Sequence, residues 1–138
     1  MNNIKRFGVS IESALIEKFD DYIKSKNYTN RSEALRDLIR KEFVEEEWSN
    51  SERNAAGAIV LVYDHHKREL IDNLTDIQHD YHKIIISTQH IHLDHRICLE
   101  IIVVKGKIIE IYQLESKLKS IKGVKHISLS KSTLAKDI

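Results

Sequence analysis

The chain has 138 residues, with 22 Lys and Arg against 21 Asp and Glu and a formal net charge of +1. That length holds one compact domain or two small ones, and the balanced charge excludes a general positive field for nucleic acid. A single cysteine, Cys98, excludes an internal disulfide; with no apolar run near the ~20 residues of a membrane span and no signal-peptide stretch after Met1, a cytoplasmic protein without membrane association is expected.

The first expected element is a short strand, Arg6-Phe7-Gly8-Val9-Ser10-Ile11. Alternation puts Phe7, Val9 and Ile11 on one face and Arg6, Gly8 and Ser10 on the other. An amphipathic helix follows, with Leu15, Ile16, Phe19, Tyr22 and Ile23 as its apolar stripe. Asn27-Tyr28-Thr29-Asn30 breaks it. Asn30 suits the N-cap of a second helix, with Glu33 placed to reach back as a capping box. Ala34, Leu35, Leu38, Ile39 and Phe43 form that helix's stripe, and Glu45-Glu46-Glu47 lie near its exposed end.

One strand and two helices bury too little apolar surface to stand alone, and the strand has no partner nearby in its own chain. Pairing two copies of the strand, with four helices sharing a core, repairs both defects. That arrangement is the ribbon-helix-helix fold, whose two-stranded ribbon can enter the major groove of DNA. Met1 to Trp48 carries nine basic and ten acidic side chains, a net of −1. Any DNA contact must therefore come from a local cluster.

The stretch Asn50 to Gly57 is polar and small and reads as a linker. Expected domains are thus residues 1–49, a linker at 50–57, and a second domain at 58–138. After the linker the pattern predicts strand (Ala58 to Tyr63), helix (Lys67 to Tyr81), strand (Ile84 to Leu93), strand (Ile97 to Lys105), helix (Ile108 to Ser120) and strand (Val124 to Ser130). Gly106 and Gly123 mark turns. The fold class is α+β, and the β-α-β-β-α-β order is that of a ferredoxin-like sandwich.

Seven of the eight histidines fall between His65 and His95, beside the only cysteine. In the strand His90-Ile91-His92 the two imidazoles share a face, with Cα atoms roughly 6.6 Å apart, within reach of one ion. With a tight connection at Asp94-His95-Arg96, His92 falls opposite Cys98 and His90 opposite Glu100. Glu100 is then placed as an acceptor behind the His90 ring. His79 or His82, on the preceding helix, offers a fourth donor from the same subunit or a neighbour. Three imidazoles and a thiolate suit tetrahedral zinc or planar Ni(II) or Cu(II). His65, His66, His95 and His126 read as surface residues. Glu33 and Asp37, four apart on one helix, read on their own as solvated carboxylates. No glycine-rich phosphate loop or H-E-x-x-H pattern points to an enzyme.

Arg6 to Ile11, then Tyr28-Thr29-Asn30-Arg31-Ser32-Glu33-Ala34-Leu35-Arg36-Asp37, together with Gln78-His79, His90-Ile91-His92, Cys98-Leu99-Glu100-Ile101 and Val104-Lys105-Gly106, resemble the NikR family of nickel regulators. The resemblance covers nearly the whole chain. It implies one Ni(II) per subunit, held in a plane by His90, His92 and Cys98 of one subunit and His79 of another. It implies an ACT-type regulatory domain at the centre of a homotetramer, with a DNA-binding dimer at each end. Arg6, Gly8 and Ser10 would face the bases of an inverted-repeat operator in double-stranded DNA, and Glu33 and Asp37 would hold a second cation. The function implied is nickel-dependent repression of nickel uptake genes. The alternatives are a metal-storing or metal-delivering protein whose arm only dimerises, and a repressor answering to another divalent metal. Family members usually carry Ser or Thr where this chain has Gly8, which puts base reading there in question.

Overall fold

The computed structural model describes residues 3–138. Its elements are α1 (Ser13–Ser25), α2 (Arg31–Ser49), β1 (Asn54–Asp64), α3 (Arg68–Asp80), β2 (Ile85–His92), β3 (Ile97–Lys107), α4 (Ile108–Lys119) and β4 (Val124–Lys131). They divide into two compact units, Met1–Lys41 and Glu42–Ile138.

In the first unit α1 ends on Asn27, which takes the left-handed conformation with φ of 60°. The Asn27 amide then donates to the Lys24 carbonyl (3.2 Å) and the Tyr28 amide to the Ile23 carbonyl (3.0 Å), closing the last turn. Asn30 caps α2 by accepting the Glu33 amide at 2.9 Å. Glu33 does reach back, but to the Thr29 amide at 3.4 Å, one residue before the cap. The Arg31 guanidinium grips both Asp20 oxygens at 2.8 Å, tying the start of α2 to α1. Ile23 and Ala34 are buried between them.

The expected strand at Arg6 to Ile11 is not formed: Asn3 to Glu12 carries no regular secondary structure. A strand exists by pairing, and among the described residues no other strand pairs with it. Phe7, Val9 and Ile11 are exposed at 72, 60 and 42 %, and Leu15 at 55 %.

In the second unit the four strands form one sheet, ordered β2-β3-β1-β4, with every neighbouring pair antiparallel. One face carries Ile59, Leu61, Tyr63, Cys98, Ile102 and Val104, which pack with Leu70 and Leu74 of α3 and Ile108, Ile111, Leu114 and Leu118 of α4. The opposite face is also apolar, with Ala58, Val60 and Val62 of β1 and Leu99, Ile101 and Val103 of β3, all half-buried.

Three readings of this region change. The stretch expected as a linker contributes Asn54 to Gly57 to β1, so only Asn50 to Arg53 lies between elements. Ala55 and Gly57 are buried, and a Cβ on Gly57 would stand 2.7 Å from the Ser130 carbonyl oxygen and 3.5 Å from the Trp48 ring. The small residues that resemble a linker are a strand squeezed between β4 and Trp48. Trp48, expected in the first domain, belongs to the core of the second unit; its Nε1 donates to the Ser132 carbonyl at 2.7 Å. Gly106 lies inside β3 rather than in a turn, where a Cβ would meet Ile84 at 2.6 Å. Gly123, at φ of 101°, does sit in the turn before β4. Among the described residues no helix is long and apolar enough to cross a membrane.

Candidate metal centre

Asp94 builds the connection between β2 and β3: its side chain accepts the Arg96 amide at 2.7 Å and the Ile97 amide at 2.8 Å. Such a turn is short enough to fix the strand register. His92 stands opposite Cys98, and His90 opposite Glu100.

The Cys98 sulfur, buried, is the point of convergence. His90 Nε2 lies 3.1 Å from it, His92 Nδ1 3.3 Å and His65 Nδ1 3.3 Å. The His65 and His92 rings meet edge to face at 5.1 Å, and those of His90 and His92 at 5.2 Å. Burial first, then the carboxylates of Glu100, Asp94 and Asp64, push the Cys98 thiol up, so it stands as a protonated donor among the imidazoles. Three imidazole nitrogens around one sulfur are the donor chemistry that holds a borderline divalent ion such as Ni(II), Cu(II) or Zn(II) once the thiol gives up its proton. The residues fit such an ion.

His65 was not expected here. It follows the last residue of β1, and Tyr63 stands opposite Cys98 across the β1–β3 ladder. The His65 amide donates to the Arg96 carbonyl at 2.9 Å, which folds the chain over the sulfur. The only sequence signal was its place just past a strand end; the pairing that makes it a neighbour joins residues more than thirty positions apart. The His66 ring lies tilted against His65 at 4.3 Å and approaches His95 at 6.4 Å.

His79 is not part of this group. It lies exposed near the end of α3, its ring stacked at 5.9 Å on His82, whose Nδ1 contacts the His79 carbonyl oxygen at 2.9 Å. Glu100 is buried behind the site, but Tyr63 comes between it and His90. The Tyr63 hydroxyl lies 3.1 Å from His90 Nδ1 and 3.3 Å from Glu100 Oε2, while Gln78 of α3 donates to Glu100 Oε1 at 3.2 Å.

In the first unit Arg6, Gly8 and Ser10 are exposed, and a Cβ on Gly8 would meet nothing within 4 Å. Glu33 and Asp37 line one cavity with Tyr28, Arg36 and Arg40. Asp37 faces Arg40 at 3.6 Å and raises the Tyr28 phenol to about 12 through a hydrogen bond, with burial adding to it.

Residues 56–132 match the family described as the NikR C terminal nickel binding domain. Three relatives carry the name putative nickel-responsive regulator. That of Chlorobium phaeobacteroides is 56 % identical over 96 % of this chain and 98 % of its own, and that of Syntrophus aciditrophicus 56 % over 94 % of each. That of Nitratidesulfovibrio vulgaris is 49 % identical over 100 % of this chain and 99 % of its own. A solved structure of an uncharacterized protein from Thermotoga maritima, 15 % identical, superposes with a TM-score of 0.51 over 56 % of this chain and 95 % of its own, a likeness of fold alone. Matched end to end by these regulators, and over its second unit by the nickel-binding domain itself, the chain belongs to the NikR family of nickel-responsive regulators.

Proposed function

We propose that the protein is a nickel-dependent DNA-binding repressor of nickel uptake genes. The observation that carries the metal half of this reading is the gathering of His90, His92 and Cys98 on one sheet face, with His79 held out in solvent on α3. A donor that faces outward is available to a second copy of the chain. In this reading His90, His92 and Cys98 of one subunit and His79 of another hold one Ni(II) per subunit. The bound ion supplies a cross-link between subunits. The hairpin orients two imidazoles over the buried thiol, and α3 presents the fourth donor. The β-α-β-β-α-β order and the antiparallel β2-β3-β1-β4 sheet support a ferredoxin-like, ACT-type regulatory domain. Its apolar open face supports assembly into a homotetramer.

The DNA half rests on the first unit. Phe7, Val9 and Ile11 are apolar, exposed and alternate with Arg6, Gly8 and Ser10. Paired with a second copy they form a ribbon-helix-helix dimer: the apolar set turns into the shared core and the other set toward the major groove of an inverted repeat. Glu33 and Asp37 are carboxylates available to a second cation. Binding of nickel shifts affinity for DNA only insofar as the DNA-competent arrangement binds nickel more tightly.

The test is selection from a random duplex pool with metal-stripped protein and again with Ni(II), beside Cys98→Ala. An inverted repeat enriched only with nickel, and lost in the variant, is the expected result. Enrichment without nickel removes the switch, and no enrichment in either arm removes the repressor.

A further inference from the structure

The protein contacts among Gln78, Glu100, Tyr63, His90 and Cys98 are all satisfied by one arrangement, and that arrangement assigns a proton. Glu100 is 7 % exposed, so each of its oxygens needs a donor. Gln78 Nε2 serves Oε1 at 3.2 Å, and among the described residues the donor at Oε2 is the Tyr63 hydroxyl at 3.3 Å. A phenol has one hydrogen. Once it points at Glu100, the phenolic oxygen faces His90 Nδ1 at 3.1 Å as an acceptor. His90 must then carry its proton on Nδ1, and its Nε2 presents a lone pair to the Cys98 thiol at 3.1 Å. The reverse arrangement, with Tyr63 donating to Nδ1, leaves a buried carboxylate oxygen without a donor. It also puts an N–H where a metal-facing lone pair is needed. A buried acceptor left unpaired bears its full desolvation cost, greater still when charged, which decides between the two.

We propose that Tyr63 is a positioning residue for the metal centre: held by Glu100, its hydroxyl fixes His90 as the Nδ1–H tautomer and so selects Nε2 as the ligating atom. The inference rests on the reading of His90 as a ligand, but the proton it assigns exists in the metal-free protein. Gln78 extends the same chain to α3, immediately before His79. The carboxylate that orders the His90 ring thereby also holds the segment of helix that carries the outward donor. Burial and the Glu100 charge push the Tyr63 phenol far up, so it remains a phenol throughout the working range.

The experiment is nitrogen-15 NMR of the histidine rings in metal-free full-length protein, with His90 assigned by its loss in His90→Gln. In the unaltered chain His90 should show the Nδ1–H pattern. Tyr63→Phe removes the acceptor and should leave a mixture of tautomers. Glu100→Leu keeps the bulk but takes away the acceptor of the phenolic hydrogen. The hydroxyl then swings to His90 and the tautomer reverses to Nε2–H. Nickel titration of the same proteins should show affinity falling about 10–100-fold in Tyr63→Phe, with thermal melts of the metal-free forms showing that both remain folded. An Nε2–H pattern in the unaltered chain overturns the proposal, and so does an Nδ1–H pattern that neither variant changes. Should the unaltered chain show the expected tautomer yet bind no nickel, the functional reading fails while the proton assignment stands.

Discussion

Asp64 shows what a single buried carboxylate does beside the metal centre. It is 2 % exposed, accepts Arg96 Nη2 at 2.7 Å and the His66 amide at 3.0 Å, and so clips the end of β1 to the β2–β3 connection. The Arg96 guanidinium first, then the His66 amide, hold the carboxyl below its ordinary range. A carboxyl whose folded value lies below its unfolded one, about 3.9, stabilises the fold fully above that pH. The contribution disappears as pH falls through the folded value. Asp64→Asn should therefore lower the melting temperature at pH 7, and the gap to the unaltered chain should close below about pH 4. Melts at pH 7 and pH 3 followed by circular dichroism check this; a gap independent of pH would mean that Asp64 acts through shape and not charge. At this scale much of the site was legible. His90, His92 and Cys98 lie at period-two spacing around a short turn, so local geometry alone places them. His65 and Tyr63 were not legible, because they reach the sulfur through the β1–β3 ladder, a pairing that no local spacing encodes.

At the scale of elements the pattern located all four helices and the four strands of the second unit, because each carries its own periodicity. It failed where tertiary contacts overrode composition. Asn54-Ala55-Ala56-Gly57 has the look of a hinge, yet its small side chains are what let β4 and the Trp48 indole come close. Trp48 lies behind three glutamates at the end of a helix whose other residues are largely polar, and composition there suggests an exposed end. Instead its ring is 3 % exposed, meets Tyr112 edge to face at 5.8 Å and packs with Ile108, Leu114 and their neighbours. Trp48→Ala should cost about 3–5 kcal/mol, as deletion of a buried aromatic does. Glu45→Ala, three residues earlier and exposed, should stay within about 0.5 kcal/mol. Urea unfolding of the two variants separates the readings. A Trp48→Ala midpoint near that of Glu45→Ala would return Trp48 to the exposed helix end of the first domain.

The whole molecule is defined by surfaces that a single chain leaves uncovered. Ile4, Phe7, Val9, Ile11, Leu15, Leu38 and Ile39 of the first unit are all exposed, from 39 % at Leu38 to 82 % at Ile4. Such a density of large apolar groups in about forty residues marks an interface rather than a solvated surface. In a two-fold antiparallel pairing centred on Val9, Val9 meets its own symmetry mate and Phe7 meets Ile11 of the other copy, so any substitution acts twice. Burying a valine side chain stabilises by about 1.5–3 kcal/mol, whereas an unpaired ammonium in its place would carry a far larger desolvation cost. Val9→Lys should thus open the first-unit pairing while leaving the second unit, and its metal donors, intact. Nickel binding per chain and the mass of an assembly centred on the second unit should persist in sedimentation, and enrichment of the inverted repeat should be lost. The apolar sheet face of the second unit, lined by Val60, Val62, Leu99, Ile101 and Val103, does not involve Val9. Retained enrichment would mean that the N-terminal strands are not what meets the DNA. Loss of nickel along with the dimer would mean that the metal centre depends on the arms, and the division of labour between the two units would fall.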